Sequence, residues 1–207
     1  DVYYFVRGLA IPIPIYSFNL RQGRARGAFT HYTVWLNDRY AYTATMQFAK
    51  TSLSGRRKKI STPAVWLLDL WTLRAKRVIG TAATADDPGI FRSPSDQVIA
   101  NGKLYVAEED TLDDSYADDG FVSVFDLSNP RKPQFIKRLK PGEGLPEDFA
   151  VAHGLTVTPD QKSVFVASYI SSYIAKIDTL TDTVTKFWGP EDGLSAPHGG
   201  FVAGSNR

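Results

Sequence analysis

Residues 153–168 run HGLTVTPDQKSVFVAS, two short stretches of alternating apolar residues (155–158 and 164–168) joined by Pro159, Asp160, Gln161 and Lys162. Alternation with a period of two around a polar, Pro- and Asp-bearing turn is the pattern of a β-hairpin. Residues 174–179 (IAKIDT) add a third strand ending at Asp178, and residues 184–188 a fourth beyond another polar turn.

The same unit recurs. Residues 15–20 (IYSFNL), 65–70 (VWLLDL) and 122–127 (VSVFDL) each alternate and close on an Asp or Asn, and each is followed by a further strand at 24–29, 75–80 or 134–139. Asp and Asn suit that position because their side chains cap the following turn. Ahead of two of these units lie hairpins turning at Asn37–Asp38 and at Asn101–Gly102, and Asn-Gly between apolar runs is a strong hairpin signal. Four-stranded repeats of about 40 to 50 residues, with no amphipathic helix between them, predict an all-β chain folded as a β-propeller of four-stranded blades. A β-sandwich also has short strands and regular turns, but its strands do not recur as a unit.

Residues 1–207 read as a single propeller region. Within it, 30–80, 95–140 and 152–190 are complete blades with strands a to d, 1–29 is a partial blade of strands b to d, and 197–207 begins a further blade. The two arrangements are a closed four-bladed ring whose ends share a blade, or part of a ring of about six to eight blades. An open arc exposes strand edges, so the expected partner is the remainder of the chain or a partner subunit completing the ring.

Composition narrows the function classes. Lys plus Arg number 24 against 22 for Asp plus Glu, a net charge of +2, which supplies no field for drawing in nucleic acid or an anionic membrane. The absence of cysteine excludes disulfides, thiolate metal sites and a cysteine nucleophile. The apolar stretch 9–15 is short and interrupted by Pro12 and Pro14, so it predicts neither a membrane span nor a signal-peptide core. No phosphate-binding glycine loop or dinucleotide fingerprint occurs.

The chain has three histidines, His31, His153 and His198, and each stands immediately before strand a of its blade. The equivalent position in the second complete blade is about Ser95, with Asp96 beside it. Neutral imidazoles with no thiolate available suit copper, zinc, iron or nickel. The other reading is that a His-Gly pair orders the loop from strand d to strand a by hydrogen bonding. Residues 142–148 (GEGLPED) and 189–194 (GPEDGL) are similar loops leading to His153 and His198. Their carboxylates Glu147, Asp148, Glu191 and Asp192, with Asp96, are the candidates for orienting the rings from behind.

Insertions between strands b and c fall on the same face as the histidines. The first carries Arg56, Arg57, Lys58 and Lys59; the second carries Glu108, Glu109, Asp110, Asp113, Asp114, Asp118 and Asp119. Opposite charges on neighbouring loops suit protein recognition, although such runs also serve as solvated loops. Calcium in the acidic loop is a lesser expectation, since the spacing matches no EF-hand.

Residues 153–168 resemble the YVTN-type propeller repeat, and residues 124–133 (VFDLSNPRKP) resemble the LVIVD-type repeat. Families of this kind have rings larger than four blades, which favours the larger ring, and their strand a lines the central channel. His153-Gly154 and His198-Gly199 resemble pairs that begin inner strands in nitrous oxide reductase propellers and in selenium-binding or methanethiol-oxidase-like proteins. That likeness implies copper above other metals, oxidation of a small sulfur or nitrogen compound, and a periplasmic or secreted location. His31 is followed by Tyr32, and the second blade lacks the histidine; both depart from a multi-histidine copper cluster. The alternative is a non-catalytic propeller subunit that binds protein partners through its inserted loops.

Overall fold

A computed structural model describes residues 2–4, 13–22, 25–27, 30–46, 49–51, 57–59, 62–80, 94–109 and 120–200. Near the N-terminus, β1 (Val2–Tyr4) pairs with β2 (Ile13–Tyr16), and β3 (Arg21–Gln22) with β4 (Ala25–Arg26). The first large sheet contains β5 (Thr30–Trp35) and β6 (Tyr40–Thr45). After a small hairpin of β7 (Ala49–Thr51) and β8 (Arg57–Lys59), it is completed by β9 (Ala64–Asp69) and β10 (Arg74–Ile79). The second sheet consists of β11 (Pro94–Ala100), β12 (Lys103–Glu108), β13 (Phe121–Asp126) and β14 (Gln134–Pro141), with the short β15 (Gly144–Leu145) added in parallel at its edge. The third consists of β16 (Ala152–Val157), β17 (Ser163–Ser168), β18 (Tyr173–Asp178) and β19 (Thr183–Trp188). Large-sheet neighbours pair antiparallel apart from β15, and a single 3₁₀ turn at Pro190–Asp192 is the one helical element among the described residues.

Recurring turn residues explain the recurring strands. Asp69 Oδ1 accepts the N–H groups of Trp71 and Thr72, Asp126 Oδ1 that of Ser128, and Asp178 Oδ1 those of Leu180 and Thr181. Each carboxylate thereby closes the turn out of its third strand. At the Asn101–Gly102 hairpin both central residues have positive φ, as the tight turn that matches strand twist requires.

Alternation on β12 and β13 places one apolar set on each face of the second sheet. Leu104, Val106 and Phe125 pack with Tyr42, Val65 and Leu67 of the first sheet, while Tyr105, Ala107, Val122 and Val124 pack with Val164, Val166, Ala175 and Ile177 of the third. A sheet apolar on both faces must be covered on both. β11 contacts β5 on one side and β16 on the other, so the first strands of the three sheets stand side by side and the sheets radiate from them as blades. Among the described residues no helix is long and apolar enough to cross a membrane.

Candidate functional site

The ladder between the first and second strands breaks at the same place in every large sheet: between Thr30 and Thr33, between Pro94 and Gln97, and between Ala152 and Leu155. Such an irregularity releases two residues from regular pairing and re-aims their side chains. The released residues are 31–32, 95–96 and 153–154. They include two of the three histidines and the Ser95–Asp96 pair.

The three imidazoles meet. Ring centroids of His31 and His153 are 5.1 Å apart, and those of His153 and His198 are 4.0 Å apart. Tyr169 closes one side, 5.4 Å from the His153 ring and 5.5 Å from that of His198. His153 is buried at 6% exposure, whereas His31 and His198 are exposed, so the cluster opens to solvent through its two outer members.

Gly154 is what permits this approach. A Cβ there would lie 2.5 Å from the carbonyl oxygen of His198 and 2.6 Å from the Cα of Gly199, both backbone atoms that no side-chain rotation can move aside. The glycine of the His-Gly pair therefore brings the backbone of residues 198–199 onto β16, and Thr156 fastens it further by donating to the carbonyl of Gly200.

Hydrogen bonding assigns the ring nitrogens. His31 Nδ1 lies 2.8 Å from the carbonyl oxygen of Ser95; a carbonyl only accepts, so Nδ1 carries a proton, which in the neutral ring leaves the lone pair on Nε2. His153 Nδ1 contacts Glu109 Oε1, and a carboxylate imposes the same assignment. Among the described residues His153 Nε2 is buried with no hydrogen-bond partner, as are Arg77 Nε and Gln97 Oε1. Of the three, His153 Nε2 alone belongs to the ring cluster, and the Gln97 amide is anchored through Nε2 to the carbonyls of Tyr32 and Tyr42.

Asp96 lies behind the rings. It is buried, and its two oxygens accept the N–H groups of Gln97 and Leu155. Burial pushes its carboxyl above the usual range, against the opposing pull of those N–H groups and of nearby His153 and His31. Asp148 accepts from the Tyr173 hydroxyl and Asp192 from the N–H of Gly189, while Glu147 and Glu191 are exposed. The residue that meets His153 is Glu109, the first position after β12 in the acidic insertion; its place on the histidine face was the available signal. Of the basic run, Arg57, Lys58 and Lys59 form β8. Arg56, Asp113, Asp114, Asp118 and Asp119 lie outside the described residues.

Imidazole lone pairs held by Nδ1 contacts are the right donor chemistry for a borderline or soft divalent metal. Among the described residues, however, no group of three or more His, Asp or Glu side chains is placed to hold a metal ion. The donor type fits the implied metal, whereas a full ligand set is not assembled among the described residues.

No family model matches the chain, and no curated protein matches it. Solved structures do. A candidate 6-phosphogluconolactonase from Bacteroides uniformis superposes with a TM-score of 0.56 at 14% identity, over 94% of this chain and 48% of its own. A functionally unknown protein from Desulfotomaculum acetoxidans gives 0.52 at 15% identity, over 84% and 45%. The fold is of the β-propeller type. A hypothetical selenium-binding protein from Sulfolobus tokodaii also matches, with a TM-score of 0.45 at 15% identity over 73% of this chain and 38% of its own, too loosely to carry an argument. This propeller chain spans less than half the length of each of these structures.

Proposed function

We propose that this propeller chain forms a histidine-lined transition-metal site at the channel mouth, with His153 as its central ligand and His31 and His198 beside it. The observation that carries the reading is the buried Nε2 of His153, which has no hydrogen-bond partner among the described residues, in a ring whose other nitrogen is held by a carboxylate. Burying a polar atom without a partner costs about 1–3 kcal/mol, and a bound ion offsets that cost. Copper is the first choice, and when bound it would supply one-electron chemistry to a small sulfur or nitrogen compound.

The chain's own residues bind and orient. Ser95 and Glu109 hold two rings by Nδ1, Gly154 lets His198 close on His153, and Tyr169 walls the site. A periplasmic or secreted setting and a ring completed by further chain or by a partner subunit belong to the same reading. The third blade leaves Phe165, Ile174 and Trp188 partly exposed, as a sheet awaiting a neighbour would.

Titration of Cu²⁺ and Zn²⁺ into chelator-treated protein, followed calorimetrically, tests the proposal. Stoichiometric copper binding that disappears in His153→Ala and weakens in His198→Ala is expected; no binding by the unaltered protein removes the reading. The second reading, a scaffold subunit docking proteins through its inserted loops, draws on the absence of an assembled ligand set among the described residues. Metal-free protein whose partner binding survives His153→Ala would favour it.

A further inference from the structure

We propose that Glu109 is the positioning residue of the histidine site: by accepting the Nδ1 proton of His153 it fixes the ring's tautomer and presents the Nε2 lone pair to the neighbouring imidazoles. The proposal rests on the metal-site reading above and adds the group that makes His153 a competent ligand.

Glu109 belongs to a different blade from its target. It follows β12 of the second sheet directly, whereas His153 is the second residue of β16 in the third, and the two are 44 residues apart in sequence. Successive side chains of a strand point to opposite faces, which separates it from its neighbour. Glu108 turns into its own sheet, where the Ser123 hydroxyl and the Arg138 guanidinium meet its carboxylate, while Glu109 reaches across to the third blade. It is 5% exposed, and a buried carboxylate is retained only where it is hydrogen-bonded.

His31 provides an internal contrast. Its Nδ1 is held by the neutral carbonyl of Ser95 at 2.8 Å, so the two rings share a tautomer but differ in the charge of the group behind them. An anionic acceptor raises the basicity of the opposite nitrogen, which makes His153 the stronger donor. Side-chain position 109 thus tunes the central ligand, and substitution there leaves the support of His31 intact.

The full chain carrying Glu109→Ala or Glu109→Gln decides the matter with two readouts. Long-range ¹H–¹⁵N NMR correlations report which nitrogen of each neutral histidine is protonated, with His31 as the control, and competition titration with Cu²⁺ alone reports affinity. In Glu109→Ala the His153 proton should move to Nε2, the His31 pattern should stay, and copper affinity should fall toward about 100-fold. Glu109→Gln, whose amide oxygen still accepts, should keep the tautomer and lose about tenfold. An unchanged His153 tautomer in Glu109→Ala overturns the proposal even if copper binds. If Glu109→Ala does not fold, a loss in Glu109→Gln well under about tenfold overturns it. If the unaltered protein binds no copper, the metal reading fails, yet a tautomer switch in Glu109→Ala still establishes the positioning role.

Discussion

Two polar clusters are buried at the seam between the second and third blades, one at each end of their strands, and they are built differently. At the turn end Asp182 accepts from Lys103 Nζ through Oδ2 and from the Tyr105 hydroxyl through Oδ1. Lys103 also donates to the Thr179 carbonyl, and the Thr179 hydroxyl links Asn101 to the carbonyl of Gln161. At the other end His153 meets Glu109 through Nδ1 and leaves Nε2 without a partner among the described residues. A cluster whose charges are matched within the protein fastens two blades together. One that leaves a buried ring nitrogen unpaired among the described residues, beside two more imidazoles, is the arrangement on which the proposed metal site rests.

The largest expected effect lies at the fastened end. Asp182→Ala strands the Lys103 ammonium and the Tyr105 hydroxyl at the seam and should cost about 3 kcal/mol, read as a lower urea midpoint with an unchanged slope. It should leave copper binding intact; loss of both properties would mean that the two ends are not separable. Burial, with Asp182 adding to it, already pushes the Tyr105 hydroxyl above the ordinary phenol range, so the phenol does not supply a replacement charge near neutral pH.

Gly154→Ala acts at the open end. The added Cβ must displace the backbone of residues 198–199, and forced overpacking of this kind costs about 1–3 kcal/mol. The stability loss should be smaller than that of Asp182→Ala, but copper affinity should fall because His198 is driven away from His153. An unchanged affinity would show that His198 is a bystander.

The smallest effect concerns a third polar feature, at the turn end of the first blade. Arg39 donates to both oxygens of Asp69, and this contact, with the turn N–H groups of Thr72 and Trp71, holds the Asp69 carboxyl down at about 2. Its folded value lies below its unfolded value of about 4. The stabilisation is therefore fully present above about pH 4 and is lost as pH falls toward 2. Asp69→Asn should flatten that acid limb of the stability profile by lowering the neutral plateau, by about 1 kcal/mol at most for a contact at the surface, measured by urea unfolding across pH.

Much of the fold was legible because it is encoded locally. The period of two in VWLLDL, VSVFDL and IAKIDT, the Asp that caps each following turn, and Asn101-Gly102 all act within a few residues of their own position. The interruption of each first-strand ladder was not legible, because residues 31–32, 95–96 and 153–154 carry no shared signature beyond the two histidines. Glu109 was visible only as one member of an acidic run. Its alternation from Glu108 gives it a face, but not the histidine waiting on the next blade.

From residue order alone came an all-β chain of repeated four-stranded units, with imidazoles expected at one recurrent position just before the first strand, where His31 and His153 instead lie one residue inside β5 and β16. Those properties follow from side-chain alternation and turn chemistry, both short-range. Which atoms meet was decided only when the blades packed: His198 closing on His153 over Gly154, Glu109 crossing the seam to Nδ1, and the His153 Nε2 left buried without a partner among the described residues. Such pairings join residues tens of positions apart, and their distances are set by how sheets stack on both faces, which no local pattern specifies.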